Sequence, residues 1–215
     1  MDPLQSVRSV HHGSVCLVHD DVTVYVDPYC VENEPHDADV ILITHAHADH
    51  YSPADIAKVC KDDTCYVTTA ELAEELAERF HVEDCYLIEV SCDTPSIYLE
   101  CGVGITPVAA YNKNHPIERG FGAVVSLGGF WYYLSGDTDV LATDVHCDVL
   151  FVCCDGIYNM PHFETDIPKA ILEMDALPGI VVPYHYGEPG MEQCGAKLCA
   201  ALSAAHIPCR EWKIA

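Results

Sequence analysis

Apolar residues recur along the chain in short runs broken by polar turns, and their spacing switches between the period of a strand and that of a helix. Val15 to Val18 and Val22 to Val26 flank His19-Asp20-Asp21, the pattern of two strands joined by a hairpin turn. Asp39 to Thr44 reads as a continuous apolar strand, Ala54 to Cys60 as a short helix and Cys65 to Thr68 as another strand. Thr68 with Glu71 matches a capping box, after which Leu72, Leu76 and Phe80 recur at helical spacing through Glu78 and Arg79. The second half repeats the theme, with strands expected at Tyr86 to Val90, Ser96 to Glu100, Val103 to Val108, Ala123 to Leu127 and Phe130 to Leu134. Gly128-Gly129 gives the last pair the spacing of a tight hairpin. A strand at Val149 to Cys153, a helix from Ile167 to Met174, a strand at Ile180 to Val182, a helix from Met191 to Ala205 and a strand near Arg210 complete the pattern. Strand-rich runs with interspersed helices predict sheets covered by helices, an α/β layered fold. The 215 residues are enough for one domain, 1–215, with a sizeable core.

Charge narrows the choice of partners. Ten basic residues against 34 acidic ones leave a net charge of -24, a field that repels polyanions and disfavours nucleic acid as a partner. Apolar stretches such as Val40 to Ile43 fall far short of the roughly 20 residues that cross a bilayer, and no basic-then-apolar start marks a signal peptide. A cytoplasmic protein without a membrane partner is therefore expected. The 13 cysteines are odd in number and show no Cys-x-x-Cys pair, so they read as reduced thiols, mostly small core residues.

The chemistry lies in the histidines. Of 13, one group has coordination spacing: Thr44-His45-Ala46-His47-Ala48-Asp49-His50, directly after the apolar strand. In extended backbone, residues two apart project to the same side, so His45 and His47 can grip one ion while the following turn aims Asp49 and His50 at a second. Imidazole nitrogen with carboxylate oxygen suits zinc and its neighbours. A polar loop with chance histidines would not concentrate three of them and an aspartate in six residues behind a buried strand. His19, His36, His81, His146, His162 and His206 lack such spacing and read as surface or packing residues. Gly-x-Ser-x-Gly, P-loop, Gly-x-Gly-x-x-Gly and His-Glu-x-x-His motifs are absent.

His-x-His-x-Asp-His after a core strand resembles the signature of the metallo-β-lactamase superfamily, and further segments match that family in order. Asp27-Pro28 resembles its aspartate-containing turn beneath the metals. His115, in Tyr111-Asn112-Lys113-Asn114-His115-Pro116, stands where the third ligand of the first metal falls. Ser135-Gly136-Asp137-Thr138 resembles the segment whose aspartate bridges both metals, and His185, in Pro183-Tyr184-His185-Tyr186, stands at the last ligand. The opening His12-Gly13-Ser14-Val15 and the short chain look most like the ascorbate-6-phosphate lactonase-like branch.

The resemblance implies a four-layer αββα sandwich holding two divalent metal ions, zinc by default and manganese as the alternative. His45, His47 and His115 would hold one ion, Asp49, His50 and His185 the other, and Asp137 would bridge them. A bridging hydroxide would attack a small ester or lactone, with Asp49 and Asp137 as the catalytic carboxylates. A phosphodiesterase or nuclease with the same site is the alternative, and a non-catalytic metal-binding protein a third reading. His12, Asp27, Tyr111, Asn112, Asn159 and Tyr184 adjoin these positions and are expected to touch substrate or support a ligand. A redox di-iron relative would carry glutamate at His47, and an antibiotic-hydrolysing one cysteine at Asp137. The small basic count argues against a tRNA-processing role. The branch often forms oligomers, so a homo-oligomer is a further expectation.

Overall fold

Two six-stranded mixed sheets face each other in the computed structural model, which describes residues 2–212. The first contains β1 (Val7–His11), β2 (Ser14–His19), β3 (Val22–Val26), β4 (Val40–Ile43), β5 (Cys65–Thr68) and β6 (Leu87–Glu89), ordered as in the chain. The second contains β7 (Ile97–Tyr98), β8 (Gly104–Ala109), β9 (Phe121–Leu127), β10 (Phe130–Leu134), β11 (Val149–Cys153) and β12 (Ile180–Tyr184), again in chain order. Each sheet starts antiparallel and turns parallel: β3 to β6 run together, as do β10 to β12. The helices α1 (Pro53–Val59) and α2 (Ala70–Phe80) supply two of the parallel crossovers, and α3 (Phe163–Leu172) a third, before α4 (Cys194–Ala204).

The alternation within β4 shows why the layers form. Val40 and Leu42 join a core that includes Val15, Leu17, Val24 and Val67 of the first sheet and Val125, Leu134 and Phe151 of the second. Ile41 and Ile43 point the other way, into a second core with Ile56 and Val59 of α1 and Leu72 and Leu76 of α2. Ile167 and Ile171 of α3 with Leu198 and Leu202 of α4 cover the other sheet. The result is the αββα sandwich. Each fully buried Leu or Ile contributes roughly 1.5–3 kcal/mol against exposure, so these facing rows dominate cohesion. Among the described residues, no helix is long and apolar enough to cross a membrane.

Several expectations need correction. Strand β1 escapes the period-two pattern because a register shift between Val7 and Ser9 leaves the buried Val7 and Val10 three residues apart. The capping box does not form: Thr69 is the N-cap of α2 without a side-chain cap, because Thr68 ends β5 and its hydroxyl donates to the Ile43 carbonyl at 3.3 Å. Helix α3 starts at Phe163, before the expected Ile167, with Pro168 inside it. Near Arg210 only an isolated parallel bridge forms, between Val181 and Cys209. That contact brings Cys209 to 5.4 Å, Cα to Cα, from Cys199 of α4, and the two form a disulfide rather than reduced thiols. Nor are the other cysteines mainly core: Cys16, Cys147, Cys153, Cys154 and Cys194 are buried, whereas Cys30, Cys85 and Cys101 are exposed.

Candidate metal centre

Strands of one direction end on the same rim. β1, β3, β4, β8, β10, β11 and β12 release His12, Asp27, Thr44 to His50, Tyr111 to His115, Asp137, Asp155 and His185 from their carboxy ends. An antiparallel bridge between His45 and Gly120 ties the two sheets together at this rim. Segments far apart in the chain thus converge on one cleft.

Asp137 stands between two histidine groups. On one side, its Oδ2 lies 3.8 Å from His45 Nε2, which is 2.9 Å from His47 Nδ1. The His115 ring centroid is 4.9 Å from that of His45 and 5.6 Å from that of His47. On the other side, Asp137 Oδ1 lies 3.2 Å from His50 Nε2 and 3.0 Å from His185 Nε2, and those two nitrogens are 3.1 Å apart. Asp49 Oδ2 joins this second group at 3.7 Å from His50 Nε2 and 3.4 Å from His185 Nε2.

Two tests favour cations here. A tetrahedral set of bonds near 2.1 Å puts neighbouring ligand atoms about 3.4 Å apart, and the separations just given scatter around that value. Both ring nitrogens of His115 are buried without a hydrogen-bond partner. Each such orphan costs roughly 1–3 kcal/mol, a penalty that coordination would relieve on one of the two.

Charge differs between the groups. Burial, then the neighbouring His50, pushes His45 down to about 2, so its imidazole is neutral, and burial likewise lowers His115. Burial would lower His185 as well, but the Asp137 charge and the contacts with Asp155 and Asp49 raise it to about 9. His50 is raised well above its ordinary value because Asp137 and Asp27 outweigh its burial. Against burial, His50 and His185 hold Asp137 well below the carboxylate range, while His12 and His185 do the same for Asp49.

Two buried carboxylates brace the second group from behind. Asp27 follows β3 at φ 47° and is 1% exposed. Its Oδ1 accepts from Thr44 N at 2.7 Å, and its Oδ2 accepts from Thr44 Oγ1 at 2.6 Å and faces His50 Nδ1 at 2.7 Å. With both oxygens engaged it supports a ring rather than touching substrate. Asp155, also 1% exposed, is its counterpart after β11. Its Oδ1 accepts from the backbone N–H groups of Ile157, Tyr158 and Asn159 at 2.6–3.0 Å, and its Oδ2 lies 3.2 Å from His185 Nδ1. Sequence reading passed over Asp155 as a site residue. The signal was an aspartate closing an apolar strand, as Asp27 does.

The remaining expected residues divide. His12 is brought in, with Nε2 at 3.1 Å from Asp49 Oδ2. Asn112 and Asn159 brace the loops behind the wall: Asn112 Nδ2 donates to Asn159 Oδ1 at 2.6 Å, Asn159 Nδ2 donates to Asp155 Oδ2 at 2.8 Å, and Asn112 Oδ1 accepts from the Asn114 and His115 backbones. Tyr184 accepts from Gly136 N at 2.8 Å through its buried hydroxyl, and so fixes the turn that carries Asp137 instead of offering a hydrogen bond to substrate. Tyr111 is 38% exposed and meets Thr138 and Asp139 through its backbone. A cavity of about 320 Å³ opens over the centre, lined by His47, Asp49, Asn114, Asp137, Tyr158 and His185. Asn114 and Tyr158, not Tyr111 and Tyr184, are the polar wall beside the histidines and carboxylates.

Comparison with known proteins decides the family. Residues 6–185 match the beta-lactamase superfamily domain. The chain belongs to that superfamily. A UPF0173 metal-dependent hydrolase of Salinibacter ruber is 26% identical over 197 residues, covering 81% of each chain, and one of Pyrococcus abyssi is 29% identical over 180 residues, covering 76% of each. A solved structure from Parabacteroides distasonis superposes with a TM-score of 0.77 at 27% identity, covering 97% of this chain and 93% of that one. The metallo-beta-lactamase fold protein YhfI of Bacillus subtilis, 13% identical, superposes at 0.71 over 97% and 95% of the two chains, and the fold is the metallo-β-lactamase fold.

Proposed function

We propose that this member of the superfamily is a metal-dependent hydrolase with a binuclear centre, acting on a small carboxylic ester or lactone. The observation that carries the reading is the placement of Asp137 between two groups of inward-facing nitrogens, with its two oxygens turned toward different groups. His45, His47 and His115 would hold one cation, and Asp49, His50 and His185 the other. Two divalent ions, zinc first and manganese second, would lower the pKa of a bound water from 15.7 toward about 7 and polarise the substrate oxygen. The naming of the Salinibacter and Pyrococcus relatives as metal-dependent hydrolases supports the same class.

The chain's own residues do the rest. Asp49 is half-open to the cavity and positioned to accept the proton of an attacking water and pass it to the leaving oxygen. Asn114 and Tyr158 offer neutral hydrogen-bond donors at the cavity wall. Among the described residues no lysine or arginine lines the cavity, and Lys113, the nearest in sequence, donates to the Ile157 carbonyl at 2.7 Å. A neutral acyl substrate needs no cation beyond the two metal ions, whereas a phosphodiester binder would gain from a lysine or arginine on its second oxygen. The opening His12-Gly13-Ser14 adds the lactonase-like resemblance to this preference.

Elemental mass spectrometry of protein purified without added metal, run beside a paired panel of lactones, esters and phosphodiesters, tests the reading. About two ions per chain with lactone or ester turnover is expected. Two ions with phosphodiester turnover alone would replace the substrate class, and protein that takes up neither zinc nor manganese would defeat the hydrolase reading.

A further inference from the structure

His12 lies outside the set of seven ligands that the superfamily resemblance assigns, yet the fold clamps it onto the centre. It sits in the turn between β1 and β2 in the left-handed region, at φ 50°, a conformation that needs local support in a residue with a side chain. Its carbonyl accepts from the backbone N–H of His185 at 2.7 Å, so the turn is tied to the end of β12 on the opposite sheet. The next residue must be glycine. A Cβ on Gly13 would stand 2.8 Å from His50 Cε1 and 3.2 Å from His185 Cδ2. The turn therefore presses directly on two rings of the second group.

The side chain of His12 is 8% exposed, with its ring centroid 4.0 Å from that of His185. Its Nε2 lies 3.1 Å from Asp49 Oδ2, which is in turn 3.4 Å from His185 Nε2. The three donor atoms all fall within 4.8 Å of one another. The two shorter edges fall in the range of about 3.0–3.6 Å expected between neighbouring ligands of a five-coordinate zinc. Asp49 Oδ2 is common to this triangle and to the one formed with His50, so the two triangles share an edge between Asp49 and His185.

We infer that His12 is an additional ligand of the second cation, donated by the β1–β2 turn. The inference rests on the binuclear reading above. A direct ligand from the first hairpin would tie the second ion to that turn as well as to the His45 to His50 motif, Asp137 and His185. The alternative role is hydrogen bonding alone, with His12 Nε2–H donating to Asp49.

Competition titrations with zinc, together with visible spectra of the cobalt-substituted protein, separate the two roles. Asn tolerates the left-handed backbone but is too short to reach, so His12→Asn is the folding-safe variant, verified by the thermal transition of the metal-free protein. His12→Gln restores an N–H near the position of Nε2 and offers in place of imidazole only an amide oxygen, a much weaker zinc ligand. Both variants are expected to lose at least about tenfold in affinity for one ion while keeping the other, and to alter the cobalt bands of the weakened site. Full zinc affinity in His12→Asn, or its recovery in His12→Gln, would overturn the ligand and leave the binuclear reading standing. Wild-type protein holding fewer than two ions would overturn the binuclear reading itself, and His12 as a ligand with it.

Discussion

The two groups around Asp137 occupy one buried cleft but handle protons in opposite ways. His45 and His115 are driven toward the neutral form by burial, and His45 Nδ1 has only the Thr44 hydroxyl beside it, at 3.0 Å. His50 and His185 are equally buried, yet each faces a buried carboxylate at its outer nitrogen and the Asp137 carboxylate at its inner one. Burial alone therefore does not set the charge of a histidine here. A carboxylate 2.7–3.2 Å away decides it. His45 and His115 are ready to coordinate as they stand, because neutral imidazole is the ligating form. The second group is held in shape by ion pairs in which protons occupy the places that a cation would take.

The largest expected effect removes what the two groups share. Asp137→Ala takes away both inward oxygens at once, so bound metal should fall below two ions per chain and turnover should be lost. Unchanged metal content would remove Asp137 from its bridging place. Because a ligand set is assembled only in the folded state, the variant should also lose the thermal stabilisation that zinc confers on wild type.

The braces come next and act on one side only. Asp27→Asn and Asp155→Asn keep the shape of each side chain but discharge it, leaving His50 and His185 without their outer partners. Loss of such a support costs about 10–100-fold in metal affinity. The loss should fall on the second ion in both variants, with the first ion retained. Equal weakening of both ions would show that the carboxylates hold the whole rim together and would erase the distinction between the groups. Asp155→Asn is the sharper probe, because Asp155 also organises the loop with Tyr158 and Asn159, and its loss should raise KM as well.

Two of the three residues in each group could be read from spacing alone. His45, His47, Asp49 and His50 follow a buried strand within six residues, and period two puts alternate residues on one side. His115, Asp137 and His185 were reachable only through resemblance, since nothing in their own surroundings says that β8, β10 and β12 end on the rim where β4 ends. That fact belongs to the pairing order of the strands. Asp155 stayed hidden for the same reason: its importance comes from β11 lying beside β12, which sets it behind His185. Tyr184 and Asn112 had suitable donors for a substrate, but sequence adjacency does not report that Gly136 and Asn159 already engage them. In the fold, the helices and most strands followed from periodicity, while β1 was lost to a bulge and the disulfide to a contact between segments at the end of the chain.

The smallest effect is a slope with pH, and it isolates the difference in charge without altering any residue. In the metal-free protein His185, at about 9, carries a proton at pH 7, and His50 does so more firmly. A cation entering the second group must displace these protons, so its affinity should rise by about tenfold per pH unit for each proton released, levelling off as pH passes about 9 for His185. As pH falls the same affinity declines. His45, at about 2, and His115, below its ordinary 6.5, have no proton to lose at pH 7. Protons on His45 and His115 should therefore not make affinity for the first ion depend on pH from pH 7 upward. Zinc titrations at pH 7, 8 and 9, with proton release followed by calorimetry in buffers of different ionisation enthalpy, separate the two ions. More proton release with the second ion than with the first is the expected pattern, and equal release for both would show that the carboxylates do not divide the site.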